Sequence, residues 1–210
     1  MFHHNTARHA LTAAAVAVVL LAGATAASAA PLAADPRPTV GEAHSGSYGQ
    51  LRTIAVLSAE RLATADLVAA AKWGTASPID DPAREQVVLD TVRQQAVEIG
   101  ADPEATSRIF RDQIEANKVV QRGLHRLWTA DPSQAPTWRP DLHEVRKEIN
   151  RVNSGLVRAI ADSATARSAA YCRGLLTVSA VQVRHEKQLD RLHGKALSRA
   201  VPSVCEEDAG

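Results

Sequence analysis

The sequence predicts an all-α protein, a single-domain helical bundle of about five to six helices with one disulfide. Ala, Leu and Val supply most of the 45% of residues that are hydrophobic, which suits closely packed helices. Apolar residues recur at helical spacing from about residue 48 to residue 200, and no stretch shows sustained period-two alternation. At 210 residues, the chain is long enough for one compact domain with a substantial core.

Net charge and cysteine content exclude several classes of protein. Lys and Arg number 24 against 23 Asp and Glu. This balance argues against a nucleic-acid-binding protein, which usually carries a basic excess. Two cysteines are too few for a disulfide-rich miniprotein or a four-cysteine zinc site. Because positive and negative charges nearly cancel over the whole chain, any charge selectivity must be local.

Residues 1–29 have the pattern of a secretory signal peptide. Arg8 lies in a short basic region, an apolar stretch of small residues follows, and Ala27-Ser28-Ala29 supplies a cleavage pattern. The alternative is an uncleaved membrane anchor, for which the stretch is short and rich in Ala. Cleavage near Ala29 would leave a neutral mature chain without a membrane span, located outside the cell or in the periplasm. Residues 30–47 are expected to form a flexible leader, and residues 48–210 the helical domain.

Export also suggests how the two cysteines are used. In an oxidising compartment, Cys172 and Cys205 most simply pair with each other. Closing that loop would stabilise the fold by about 3–4 kcal/mol on the chain-entropy model. The alternative is a pair of free thiols.

Prolines, glycines and aspartates mark the helix boundaries. Asp81-Pro82 and Asp102-Pro103 each place an acidic cap before a proline at the first helical position. Asp141 starts another helix after a proline-rich loop. The predicted helices cover residues 48–73, 82–100 and 103–130, a fourth starting at Asp141, and a last helix over residues 175–200.

Two amides interrupt the apolar face of the third helix. Asn117 and Gln121 lie on successive turns of a stripe that is otherwise apolar. A buried amide without partners costs about 1–3 kcal/mol, so two of them need an explanation. One interpretation is a hydrogen-bonded polar pair inside the bundle, and the other is a face that contacts a ligand.

Four cations border the core faces of three other helices. Arg61 and Lys72 share one face of the first helix, about 16 Å apart along its axis. Arg84 lies in the first turn of the second helix, and Arg146 lies beside the core stripe of the fourth. Side chains that reach past the core edge into water, or surface ion pairs, would explain each one singly. Together they suggest an anion pocket. The sequence has no zincin motif and no Gly-rich phosphate loop.

Four sequence segments carry a family resemblance. They are Ser58-Ala59-Glu60-Arg61-Leu62, Lys72-Trp73, Pro78-Ile79-Asp80-Asp81-x-x-Arg84-Glu85 and Phe110-x-x-Gln113-Ile114-x-Ala116-Asn117-Lys118-x-x-Gln121. The chain resembles the secreted AroQ-class chorismate mutases of the gamma subclass, from about residue 48 to residue 205. The resemblance implies one all-α domain, a homodimer, and conversion of chorismate to prephenate without cofactor or metal.

The resemblance also implies roles for individual residues. Lys72 and Gln121 would contact the ether oxygen of the breaking bond. Arg61 and Arg146 would bind carboxylates, although some relatives supply the second cation from a partner subunit. The remaining matched positions are Asn117, which would assist one carboxylate; Arg84, a further pocket arginine; and Asp81 and Glu85, which would approach the substrate hydroxyl.

The chemistry explains why these residue types are needed. The reaction is an intramolecular rearrangement, so the enzyme must hold an extended dianion in a reactive conformer and stabilise charge on the ether oxygen. Arginine forks suit carboxylates because they can bind bidentately. Two rival hypotheses remain: a non-catalytic secreted helical module that binds an anionic ligand or partner protein, and a structural bundle whose polar stripe only fixes helix register.

Overall fold

A 33-residue helix, α1 (Val40–Lys72), forms the centre of the fold. The structure is a computed structural model that describes residues 40–206. The helices that follow are α2 (Pro82–Glu98), α3 (Pro103–Ala130), α4 (Leu142–Asp162), α5 (Ala164–Arg167), α6 (Cys172–Glu186) and α7 (Arg191–Ala200), with short 3-10 turns at Pro132–Gln134 and Pro202–Val204. No strand is present within residues 40–206, and the predicted all-α class is confirmed.

Helix α1 packs against α3, α4, α6 and α7. Helix α2 packs instead on α3 and α4. Leu51, Ile54 and Leu62 of α1 are fully buried, as are Phe110 of α3 and Leu156 of α4. Burial of side chains of this size stabilises by about 1.5–3 kcal/mol each. This packing leaves a space between the C-terminal half of α1 and α2, bordered by α3 and α4.

Aspartate caps begin three helices where the sequence predicted them. The Asp81 carboxylate accepts a hydrogen bond from the backbone N–H of Arg84, and Asp102 and Asp141 cap α3 and α4 in the same way. Each cap satisfies backbone donors that the first helical turn leaves free, and it is worth about 1 kcal/mol.

The predicted start of the first helix was wrong. Helix α1 begins at Val40, so residues 40–47 are helical and do not belong to a flexible leader. Contacts with the segment before α6 hold this first part of α1: Ser47 Oγ lies 3.2 Å from Tyr171 Oη, and the His44 ring meets the Tyr171 ring edge-on. The signal peptide, its cleavage site and residues 30–39 lie outside the described residues.

The predicted last helix, over residues 175–200, is two helices. Gln188 adopts a positive φ of 50° and ends α6, and Asp190 caps α7 by accepting from the backbone N–H of His193. The turn lets α7 fold back along α3, where Gly123 permits close contact. A Cβ at Gly123 would lie 2.6 Å from Leu192 Cδ1. This packing depends on contacts between distant segments, which helical periodicity does not contain.

A disulfide joins the chain end to the start of α6. Cys172 and Cys205 are bonded, with their Cα atoms 5.8 Å apart, and the predicted pairing is confirmed.

None of the described helices is both long and apolar enough to cross a membrane.

Candidate active site

A pocket of about 200 Å³ lies among α1, α2, α3 and α4. Its apolar lining includes Val68, Val88, Ile114 and Ile149. All eight residues that the sequence assigned to substrate line this one pocket: Arg61, Lys72, Asp81, Arg84, Glu85, Asn117, Gln121 and Arg146. The separate faces identified in the sequence therefore converge.

Arg61 is a buried cation without an acidic partner in the described part of the chain. Its side chain is 5% exposed and lies over the Phe110 ring. Nε donates to Asn153 Oδ1 at 2.9 Å, and Nη1 donates to the backbone oxygen of Gln113 at 2.8 Å. Burial lowers the pKa of Arg61 to about 10, so it remains charged at neutral pH. The alternative considered for Arg61, a guanidinium that reaches out into water, is excluded by its burial.

The two amides of the polar stripe differ in their partners. Asn117 Nδ2 donates to the backbone oxygen of Arg61 at 3.1 Å, so this side chain ties α3 to α1. Gln121 is 5% exposed, and its Oε1 is buried without a hydrogen-bond partner among the described residues. An unpaired buried amide is costly. Oε1 could accept from a ligand hydroxyl, whereas Nε2 is the atom that could donate to a ligand oxygen.

Lys72 is half-buried at the other end of the pocket. Its Nζ donates to the backbone oxygen of Pro78 at 2.8 Å. Burial lowers the pKa of Lys72, and the nearby Arg146 lowers it further, while Asp81 opposes both effects. Lys72 and Arg146 therefore lie close to each other in the lining of one pocket, although they lie on different helices.

The predicted cations have no ion-pair partners within residues 40–206. None of Arg61, Lys72, Arg84 or Arg146 lies within 4.0 Å of a carboxylate oxygen. Arg84 does not form the surface ion pair considered for it. Four unpaired cations around one small cavity create a local positive field in a nearly neutral protein. Such a site favours a ligand with more than one negative charge.

The two pocket acids are already engaged. Asp81 caps α2 through Oδ1. Glu85 lies 3.1 Å and 3.3 Å, through its two carboxylate oxygens, from Lys118 Nζ. Lys118 also pairs with Asp80 and Glu115. These contacts offset the negative charge at the pocket wall.

Lys118 is a pocket residue to which sequence reasoning assigned no role. The residue is 8% exposed. Burial lowers the pKa of Lys118, but hydrogen bonds to Glu115 and Glu85 outweigh that effect and raise it. Its position could have indicated the pocket, because it lies four residues after Ile114 and three before Gln121 on one helix face.

Comparisons with known proteins identify the family. Residues 52–122 match the family model described as chorismate mutase type II. The chain is 36% identical to a secreted chorismate mutase of Mycolicibacterium smegmatis over 148 residues, which are 70% of this chain and 82% of the relative. It is 31% identical to a secreted chorismate mutase of Mycobacterium tuberculosis over 164 residues, 78% of this chain and 82% of that one. The chain belongs to the chorismate mutase family.

The structural comparison agrees with the family. The crystal structure of a chorismate mutase from Burkholderia phymatum aligns with a TM-score of 0.72 and 34% identity, covering 77% of this chain and 99% of the other. The region matched by the chorismate mutase type II model contains the pocket positions on α1, α2 and α3 and ends before α4. Arg146 is thus the pocket cation outside the matched region.

Proposed function

We propose that this protein is an exported chorismate mutase that converts chorismate to prephenate in the pocket among α1–α4. In this isomerisation, the ether C–O bond breaks as a C–C bond forms within the same molecule, so no atom is gained or lost. The observation that carries the proposal is the set of four cations without acidic partners, Arg61, Lys72, Arg84 and Arg146, around a cavity that also holds the unpaired amide of Gln121.

The carboxylates of the dianion would bind to the arginines. A buried charge without an ionic partner is costly, and a carboxylate would remove that cost at Arg61. Arg146, an exposed residue of the pocket lining, would bind the second carboxylate, with Arg84 adding positive charge between α2 and α4. Asn117 would assist one carboxylate while it holds α3 to the backbone of Arg61.

Lys72 and Gln121 would stabilise the charge that develops on the ether oxygen. Both line the pocket, and neither has an acidic partner in the described part of the chain. Donors of this kind act most strongly where charge appears in the transition state. Asp81 would approach the substrate hydroxyl through the carboxylate oxygen that does not cap α2, and Glu85 would do so beside Lys118.

The deciding experiment mixes the purified mature protein with chorismate and follows the loss of substrate ultraviolet absorbance. Turnover that is abolished or strongly reduced in Lys72→Ala supports the proposal. Binding of chorismate without turnover would favour the non-catalytic anion-binding module. If chorismate neither binds nor is converted, the result would favour the purely structural bundle.

We also propose export, with cleavage near Ala29, and a homodimeric mature protein. Export is supported by the names of the relatives, which are called secreted, and by the disulfide. The homodimer rests on the family resemblance. Amino-terminal sequencing of the exported protein and light scattering of the purified protein test these two statements.

A further inference from the structure

Asn153 contacts Arg61 but is not among the residues that line the pocket. It is on α4, 92 residues from Arg61 in the sequence, and is 5% exposed. Its Oδ1 accepts a hydrogen bond from Arg61 Nε at 2.9 Å. Because a guanidinium can only donate, the amide oxygen and not the nitrogen must face Arg61. Asn153 does not line the pocket but a smaller adjoining cavity of about 170 Å³ between α2 and α4.

Two acceptors fix the orientation of the Arg61 guanidinium. Asn153 holds Nε, and the backbone oxygen of Gln113 holds Nη1. Within residues 40–206, Nη2 has no hydrogen-bond partner. Hydrogen bonds at two different nitrogens restrict rotation of the planar guanidinium, and Arg61 lines the pocket with Nη2 still free to donate. A backbone oxygen cannot be changed by substitution, which leaves Asn153 as the adjustable half of this arrangement.

Both acceptors are electrically neutral. Aspartate has nearly the same shape as asparagine and would make the same hydrogen bond, but it would also form a buried ion pair with Arg61. That pair would cancel the charge for which the pocket needs Arg61, and charges interact more strongly in a buried site than in water. An asparagine at this position orients the cation and leaves its charge available to the ligand.

We propose that Asn153 is a positioning residue that orients Arg61 toward a substrate carboxylate while leaving its charge uncancelled. This inference rests on the proposed function, because it takes Arg61 to bind that carboxylate. It concerns affinity more than the chemical step, so the effect of substitution falls on KM more than on kcat.

The test compares Asn153→Asp and Asn153→Leu with the wild type, and uses Asn150→Asp and Asn150→Leu as controls. Asn150 is one turn away on α4, exposed, and lines the same small cavity. We expect Asn153→Asp to raise KM for chorismate by about tenfold or more, with Tm equal to or above that of the wild type. Asn153→Leu should raise KM and lower Tm. The Asn150 variants should stay within about twofold of the wild-type KM.

The combination of high Tm and high KM in Asn153→Asp separates positioning from a structural role. An Asn153→Asp protein with the wild-type KM would overturn the proposal, and so would one with a Tm well below the wild type. If Asn153→Leu does not fold, Asn153→Asp alone decides. An equal rise of KM in Asn150→Asp would also overturn the proposal, because any added negative charge would then have this effect. Absence of turnover in the wild type would instead contradict the proposed function.

Discussion

Lys72 Nζ and the backbone oxygen of Pro78 are joined by a hydrogen bond of 2.8 Å. This contact ties the last residue of α1 to the loop before α2, where Ser77, Pro78 and Ile79 line the pocket. A carbonyl oxygen orients the ammonium without neutralising it. Two further donors of Lys72 therefore remain for a ligand.

Removing the Lys72 amine tests its role in the chemical step. We expect Lys72→Ala to lower kcat by about 10²–10³-fold, the scale for loss of one donor to developing negative charge. Lys147→Ala is a matched control, since Lys147 is an exposed lysine on α4 paired with Glu144. Near-full activity of a normally folded Lys72→Ala protein would contradict the assigned role.

The role assigned to Gln121, donation to the ether oxygen, predicts how the rate depends on pH. Its amide has no proton to lose, so the wild-type rate should vary little around neutral pH until Lys72 deprotonates. Burial lowers the pKa of Lys72, so we expect activity to fall on the alkaline side, at a lower pH than for a free lysine. In Gln121→Glu, only the protonated carboxyl can donate, and Glu ordinarily titrates near about 4.3. Its activity should therefore be confined to lower pH.

The measurement for Gln121 is kcat against pH for the wild type, Gln121→Glu and Gln121→Leu. Gln121→Leu should be slow at every pH, because it lacks a donor altogether. A steep fall of wild-type activity between mildly acidic and neutral pH would count against the assignment.

Lys118 should affect substrate affinity through electrostatics. Lys118→Met leaves Glu85 and Glu115 without their shared cation beside a pocket for a dianion, while Asp80 keeps its ion pair with Arg122. We expect KM to rise several-fold at low ionic strength, corresponding to about 1 kcal/mol. The effect should shrink in high salt, which screens these partly exposed carboxylates, and Lys118→Arg should partly restore KM. An unchanged KM at low salt would show that Lys118 only stabilises the fold.

His193 should make stability depend on pH. Its Nε2 lies 2.9 Å from Asp66 Oδ1, and its Nδ1 lies 2.9 Å from Asp190 Oδ1, so it joins α7 to α1. The hydrogen bond with Asp66 and that with Asp190 raise the pKa of His193 to about 9, against the opposing effect of burial. The stabilisation is complete below the ordinary pKa of about 6.5 and is lost as pH rises from there through about 9.

The check is the unfolding free energy at pH 6 and pH 9.5 for the wild type and His193→Gln. Because solvent screens the partly exposed Asp66, we expect the wild type to lose about 1–2 kcal/mol more than the variant over this interval. His143→Gln is the control, since His143 is an exposed residue on α4. Parallel pH curves for the wild type and His193→Gln would contradict the assignment.

The disulfide should stabilise without entering the chemistry. Replacing Cys172 and Cys205 with serine opens a loop with a sequence separation of 33 and should cost about 3–4 kcal/mol. Neither cysteine lines the active-site pocket. We expect a clear fall in Tm and in the urea midpoint, with kcat unchanged at a temperature where the variant is folded. A large fall in kcat there would connect the chain end to the active site.

Local sequence was sufficient for the parts of the fold that depend on neighbouring residues. Aspartate followed by proline predicted the starts of α2 and α3, since capping involves only the first helical turn. Helical spacing placed Asn117 and Gln121 on one face of α3, because that face follows from 3.6 residues per turn. The position of Gln188 was missed, because a single residue with positive φ leaves no periodic signal.

The sequence by itself determined which residues share each helix face and which two cysteines pair. Only the tertiary structure decided that faces of four helices enclose one pocket, and that Gln121 is unpaired there while Asn117 is not. It also decided that Arg61 is held by Asn153, 92 residues away. The physical reason is range: helical periodicity depends on neighbours three and four residues apart, whereas the surroundings of a buried charge depend on which distant segments pack against it.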